Sequence, residues 1–438
     1  MQTSFLSLAD RVCAMARPGE VLLLNFAGED SDFVRFNHGL VRQAGRVEQR
    51  ALEIEVVQGE RHVSGSIGLT GVPATDRDRA AAALADLRQR LADVPPDPYL
   101  LFAETVQNTE RSGTDNLPPT AAMVDAVIAA GRGRDLVGIL AAGCIAKGFA
   151  NSLGQRNWFS THSFHLDWCF YLTGDKAVKT SYAGFSWDPA VFEGKVAAAA
   201  HQLDILRQPP RTVQRGGYRT YLAPAALAEL AGMLGWGGFG LKSQRTKTTC
   251  PLRMLESGAV FSPKVAIAEN TAEGLCPNFT EAGFVKPDRV DLIRDGRLAG
   301  CLVSPRSARE FGEVANSGAE APEALDIAAG DLADGEILER LGEGIYASQL
   351  WYLNWSDMPG CRVTGMTRFA TFWVENGRIA APLSVMRFDE TLYRALGDNL
   401  VALTRERELL PDSGTYGARS TRCSRLPGAL IDDFQLTL

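Results

Sequence analysis

Between residues 21 and 70, apolar and polar positions alternate through four stretches, VLLLNFAG, SDFVRFNHG, LVRQAGRVEQRALEIEVVQG and ERHVSGSIGLTG. A period of two marks strands with one buried face. Asn37-His38-Gly39 and Gly59-Glu60 carry turn chemistry, so an antiparallel meander is expected after a short N-terminal helix. The period then lengthens toward 3.6 in TDRDRAAAALADLRQRLADV. Leu84, Leu87 and Leu91 form the buried stripe of this helix, Thr75 is placed to cap it with Asp78 three positions on, and VPPDP stops it.

A second helix is expected around 120–132, then strands over 135–147, 157–172 and 176–186, then a helix opened by Asp188-Pro189, because proline is favoured in a first helical turn. Proline, glycine and arginine collect in RQPPRTVQRGG, residues 207–217. A domain boundary is placed there, giving an N-terminal domain over 1–212 and a C-terminal domain over 213–438. The second half reads as a helix from Pro224 to about Gly235, a basic loop, strands with hairpin turns at Asp295-Gly296 and Asn376-Gly377, a last helix over roughly 389–407 and a final strand near 428–437. Strands in runs between helices, without regular βαβ alternation, predict an α+β fold of two domains with mainly antiparallel sheets flanked by helices.

Composition narrows the class. The chain has 438 residues, 45% hydrophobic and 22% charged, as in ordinary globular proteins. Its net charge of −7 leaves no general basic surface for nucleic acid. No apolar run is long enough to span a bilayer and the first twenty residues lack the pattern of a secretion signal, so the expectation is a cytoplasmic protein with neither nucleic acid nor membrane as a partner. Its eight cysteines are scattered without a CxxC pair, which suggests neither a disulfide framework nor a zinc knuckle.

THSFHLDWCFYLTG, residues 161–174, concentrates His162, His165 and Cys169. Its aromatic and β-branched residues favour a strand, on which His165 shares a face with Ser163, Asp167 and Cys169 while His162 points away with Phe164, Leu166, Trp168 and Phe170. His165 and Cys169 then stand about 13 Å apart, too far for one zinc, whose ligands lie about 2 Å from it. Only a sharp bend could make a metal site here. His201 lies within a helix whose neighbouring turns offer no companion ligand.

KSQRTKTTCPLR carries Lys242, Arg245, Lys247 and Arg253 with no acidic residue. Lys242, Arg245 and Lys247 are candidates to receive a peptide carboxylate, against the alternative of a solvated loop; Cys250 among them has no histidine nearby in sequence to act as its base. QLWYLNWSDM brings Trp351, Tyr352 and Trp355 to either a peptide groove or a buried strand.

Two segments carry a resemblance. GEDSDFVRFNHGLVRQAGRVEQ resembles the N-terminal signature of the TldD/TldE (PmbA) metallopeptidase family, and LERLGEGIYASQLWYLNWSDMPGCRVTGMTRFATFWVENGRIAAPLS resembles its C-terminal domain. In that family's catalytic subunits a helix bears an HExxxH motif and a cysteine near the C-terminus completes a zinc site, where the glutamate takes a proton from metal-bound water. Laid on that motif, APAALAELAGMLGWGG matches at Glu229 and Gly232, but Ala228 and Met233 occupy the histidine positions, and the cysteine position falls near Ser413, with Cys423 ten residues later. A methyl group ligates nothing and a thioether is a poor zinc ligand. The resemblance therefore implies a non-catalytic, TldE-like subunit with no cofactor of its own. It would pair with a zinc-bearing TldD-like partner in a peptidase acting on unfolded or modified peptides. The alternatives are a free-standing homodimeric peptide-binding protein and an active metallopeptidase with an atypical metal site.

Overall fold

A computed structural model describes residues 1–174 and 176–437. The first half contains α1 (Gln2–Cys13), β1 (Glu20–Asn37), β2 (Leu40–Gln58), β3 (Arg61–Gly68), α2 (Pro73–Leu91), β4 (Thr109–Ser112), α3 (Thr120–Gly131), β5 (Asp135–Asn151), β6 (Arg156–Thr173), β7 (Lys176–Gly184) and α4 (Pro189–Leu206). Its seven strands form one sheet in the order β3-β2-β1-β5-β6, whose far edge is shared by β4, parallel to β6 near its start, and β7, antiparallel to it further along.

Alternation along the long strands gives this sheet two unlike faces. Leu22, Leu24, Phe26, Val34 and Phe36 of β1 point to the helical side, where α1 and α2 cover one end and α3 and α4 the other. The opposite face presents Leu23, Glu29 and Ser31 of β1 and Phe159, Ser163 and His165 of β6, and all of these are also buried. Their cover comes from the second half of the chain: Phe279 packs with Leu23 and Phe159, and the strap 412–422 crosses Glu29, Ser31 and Ser163.

The second half contains β8 (Gly216–Leu222), α5 (Pro224–Gly235), α6 (Leu241–Arg245), α7 (Leu252–Glu256), β9 (Ile267–Asn270), β10 (Arg289–Arg294), β11 (Arg297–Leu298), α8 (Pro305–Phe311), β12 (Ala324–Ile327), α9 (Ile337–Leu341), β13 (Gly344–Asp357), β14 (Arg362–Glu375), β15 (Arg378–Pro382), β16 (Arg387–Thr391), β17 (Leu400–Pro411) and β18 (Cys423–Leu436). Their sheet runs β11-β10-β9-β12-β18-β16-β14-β13-β8, and β8 also pairs with β18, so the last five strands close into a ring. The fold is α+β, with antiparallel pairings predominating and helices packed on the sheets, as the alternating runs predict.

Several elements differ from their expected form. The two stretches 21–28 and 31–39 are one strand of 18 residues. The polar run Glu29-Asp30-Ser31-Asp32 keeps the period of two, with Glu29 and Ser31 under the strap and Asp30 paired to Arg46 on β2. α2 begins at Pro73 rather than at a Thr75 cap, and the Asp76 carboxylate accepts the N–H groups of Thr70 and Gly71 just before it. The helix expected over 389–407 is absent: β16 and β17 lie there, joined by a short π-helical turn over Arg394–Asp398 that contains a non-helical Gly397. Leu400 to Pro411 pairs along β18, and that ladder overrides the helical reading of a charged, leucine-bearing run.

Gly143 on β5 has φ +144, and a Cβ there would collide with the Asp30 carbonyl oxygen of β1. Gly143→Ala combines a disfavoured backbone region with a backbone clash. It is expected to cost about 3 kcal/mol, read as a fall in the denaturation midpoint.

Candidate functional site

α5 is an alanine- and leucine-rich helix with Pro224 in its first turn and glycine at its end. Leu227, Leu230 and Leu234 bury one face among β13 and β18. The face carrying Ala225, Ala228, Glu229, Gly232 and Gly235 walls a cavity of about 590 Å³. Opposite it stand Asp167 of β6 and Lys179, Thr180 and Ser181 of β7; Gln349 of β13 and the chain around Leu410–Ser413 and Arg422–Ser424 complete the wall.

The cavity therefore lies between the two sheets. Glu229 is accessible through it yet surrounded by protein, so burial raises its carboxyl pKa while Lys179 opposes the shift. Burial likewise raises that of Asp167, opposed by Lys179 and by the nearby Ser413 hydroxyl. Two carboxyl groups of reduced acidity and one ammonium thus face a shared space, which suits hydrogen bonding to a polar backbone. No feature of the sequence around Asp167 or Lys179 singles them out, because they reach the cavity only through the packing of the first sheet on the second.

Three of the four aligned motif positions, Ala228, Glu229 and Ser413, do meet at this cavity. Met233 does not: it is buried in the core of the second half. Cys423, ten residues beyond Ser413 in sequence, also lines the wall, but its thiol is pushed up to about 11 by burial and accepts the Leu275 N–H at 3.4 Å. The donors do not fit a catalytic zinc. Ala228 has no ligand atom, the Met233 sulfur is in the core, and a serine hydroxyl is not among the usual zinc ligands.

Among the described residues, the one cluster with metal-ligand spacing is Glu269, Cys276 and Glu323, outside this cavity. There the buried Lys286 ammonium lies 2.6 Å from Glu323 and already supplies a cation. His162, His165 and Cys169 are not brought together: β6 runs unbent through them, and alternation keeps His162 on the other face. His201 is exposed on α4.

Lys242, Arg245 and Lys247 lie away from the cavity, on and just after α6. Each meets a carboxylate of its own chain: Glu310 at 3.2 Å, Glu313 at 2.5 Å and Glu256 at 2.7 Å. Cys250 is buried against the Leu234 carbonyl rather than exposed in a loop. On β13, Trp351 and Tyr352 are exposed, with the Arg368 guanidinium 4.3 Å above the Trp351 ring, while Trp355 packs against the core.

The strap that roofs the cavity is fastened by Arg419. Its guanidinium donates to the Ser31 hydroxyl at 3.3 Å, the Gly143 carbonyl at 3.2 Å, and the Ser163 carbonyl and hydroxyl at 3.0 and 2.8 Å. Its backbone N–H donates to Glu29. His165 lies beneath, and its pKa is lowered to about 4, first by burial and then by the Arg419 charge.

Comparison with known proteins places this arrangement. Residues 215–438 match the family model described as the PmbA/TldA metallopeptidase C-terminal domain. A 112-residue stretch is 31% identical to Metalloprotease PmbA of Escherichia coli O157:H7; it covers 26% of this chain and 24% of that protein, about a quarter of the relative's length. Solved structures share the fold end to end. A proposed modulator of a DNA gyrase from Thermotoga maritima superposes with a TM-score of 0.76 at 15% identity, covering 99% of this chain and 100% of that one. TldE from Thermococcus kodakarensis does so with 0.76 at 12%, over the same shares. A Bacteroides thetaiotaomicron protein described like the first gives 0.72 at 14%, over 99% and 98%.

Two outcomes follow from the strap. Arg419→Met leaves several buried acceptors without their donor and is expected to cost about 2–4 kcal/mol, with faster proteolytic cleavage near the exposed Tyr416. His165 has a folded pKa below its ordinary 6.5, so the unfolded chain binds the proton more readily. Its contribution is complete above pH 6.5 and is lost as pH falls through about 4, a change of about 3 kcal/mol at roughly 1.4 kcal/mol per pKa unit. His165→Phe should remove that part of the acid destabilisation, read from denaturation midpoints across this range.

Proposed function

This chain belongs to the PmbA/TldD metallopeptidase family, and we propose that within it the chain is a non-catalytic, TldE-like subunit. It pairs with a zinc-bearing TldD-like subunit, in the cytoplasm, and holds unfolded or modified peptide for cleavage by that partner. The observation that carries this reading is the chemistry of the cavity wall: a methyl group stands at one motif position, a core-packed thioether at another, and a serine at the third. A hydrolytic zinc needs nitrogen, sulfur or carboxylate donors converging on one point, and among the described residues no such cluster forms on this wall. Glu229, without a metal-bound water to deprotonate, serves as a polar wall group.

Peptide holding is supported by β7. Among the described residues it is hydrogen-bonded as a strand to β6 alone, and its Lys179–Ser181 segment lines the cavity. An unpaired strand edge can bind the backbone of an extended peptide with little regard to sequence. The net charge of −7 supports a peptide rather than a nucleic acid as ligand, and no helix among the described residues is long and apolar enough to cross a membrane.

Metal analysis of the purified chain is expected to find zinc well below one per chain. Co-expression with a zinc-bearing relative is expected to yield a co-purifying pair whose peptidase activity needs both chains. Stoichiometric zinc bound beside Glu229, or full peptidase activity from this chain alone, would overturn the reading.

A further inference from the structure

β8 pairs with β13 through Ile345–Ala347 and ends at Leu222, where the chain turns into α5. From Ser348 onward β13 therefore has β14 on one side and, among the described residues, no strand on the other. Gln349 stands at this opening. It is only 9% exposed, and it lines both the main cavity and an adjoining one of about 410 Å³ that shares Lys179, Thr180 and Ser181 of β7 with the first. Among the described residues its carboxamide has no hydrogen-bond partner, and its polar atoms open onto the cavity rather than being sealed beneath it.

An amide enclosed by protein and left unpaired is costly unless a ligand supplies its partners. The charged groups of the wall are already answered, since Lys179 opposes the burial of both Asp167 and Glu229. A carboxamide carries donors and an acceptor together, which is the complement of a peptide unit with its C=O and N–H. A second, independent observation comes from α5. Gly232 lies inside that helix, where glycine is less stable than alanine. Packing does not require it, because a Cβ there would meet no atom within 4 Å and would stand free on the cavity wall. Ala228, Pro322 and Leu325 make the wall around it apolar.

We propose that Gln349 and Gly232 form one subsite of the held peptide. The Gln349 carboxamide clamps the N–H and C=O of a backbone unit, and an apolar side chain beside that unit lies over Gly232, in the space that the missing Cβ leaves. The inference rests on the peptide-holding reading above. It adds to that reading the residue that grips the backbone and the class of side chain received.

The test uses an N-acetylated heptapeptide of alternating serine and leucine with a C-terminal dye, a second peptide with glycine in place of each leucine, and a set in which each backbone amide of the first is N-methylated in turn. Binding to the full chain, alone and co-purified with its partner, is read by fluorescence anisotropy. The leucine peptide is expected to bind about ten-fold more tightly than the glycine peptide. Gln349→Met keeps the side-chain shape and leaves no group of the chain unpaired, so it should weaken the leucine peptide about ten-fold without lowering the denaturation midpoint. In that variant, one N-methylation that weakens binding to the unmodified chain should have no further effect, because the two changes remove the same contact. Gly232→Leu should abolish the preference for leucine over glycine, and Gly232→Ala should reduce it while raising the denaturation midpoint. Equal affinity for the leucine and glycine peptides, unchanged affinity in Gln349→Met, or losses that add at every N-methylated position overturn the subsite and leave peptide holding in place. Failure of every peptide to bind, to the chain alone and to the complex, overturns both.

Discussion

A guanidinium is withdrawn from water at low cost only when its donors find acceptors, and Arg419 finds them on three strands of the first sheet at once. Ser31 is on β1, Gly143 on β5 and Ser163 on β6, whereas Arg419 itself belongs to the strap that leads into the last strand of the second sheet. This contact fixes the strap over a sheet face that would otherwise expose polar groups, and it holds His165 dry and neutral. The roof of the main cavity is thus positioned by a residue that does not line it.

The cavity inherits its character from this arrangement. One wall is a helix built for packing, with small residues turned toward the open space; the other is a strand edge from the opposite half of the molecule, bearing Lys179. Charges on the two walls moderate each other, since Lys179 opposes the burial-driven shifts of both Asp167 and Glu229. The space is polar, and among the described residues no cluster with metal-ligand spacing forms on its wall.

Local signals were enough for many elements. Asp188-Pro189 opens α4 with the Asp188 side chain capping Ala190, and the Asp295-Gly296 and Asn376-Gly377 turns sit where hairpins were expected. α5 spans the predicted residues. Other elements depended on partners distant in sequence. The Glu29–Asp32 run looked like a break in β1 because nothing nearby shows that Arg419 and Gln49 will bury Glu29. Leu400–Pro411 carries a charge pattern compatible with either a helix or a strand, and pairing with β18 decides it. Of the site, the helix residues and Ser413 were found by likeness to the family motif, but Asp167 and Lys179 come from surfaces that meet only after folding.

The ring in the second sheet bears on the order in which the molecule is made. β18 pairs with β8, β12, β16 and β17, so strands separated by some two hundred residues of chain are joined through β18. The meander of the first half relies on neighbours close in sequence and can assemble while translation continues, its strap-side face still wet. The ring of the second half stays open until β18 has left the ribosome, and through that interval the edges of β8 and β16 that it will pair with are without their partner.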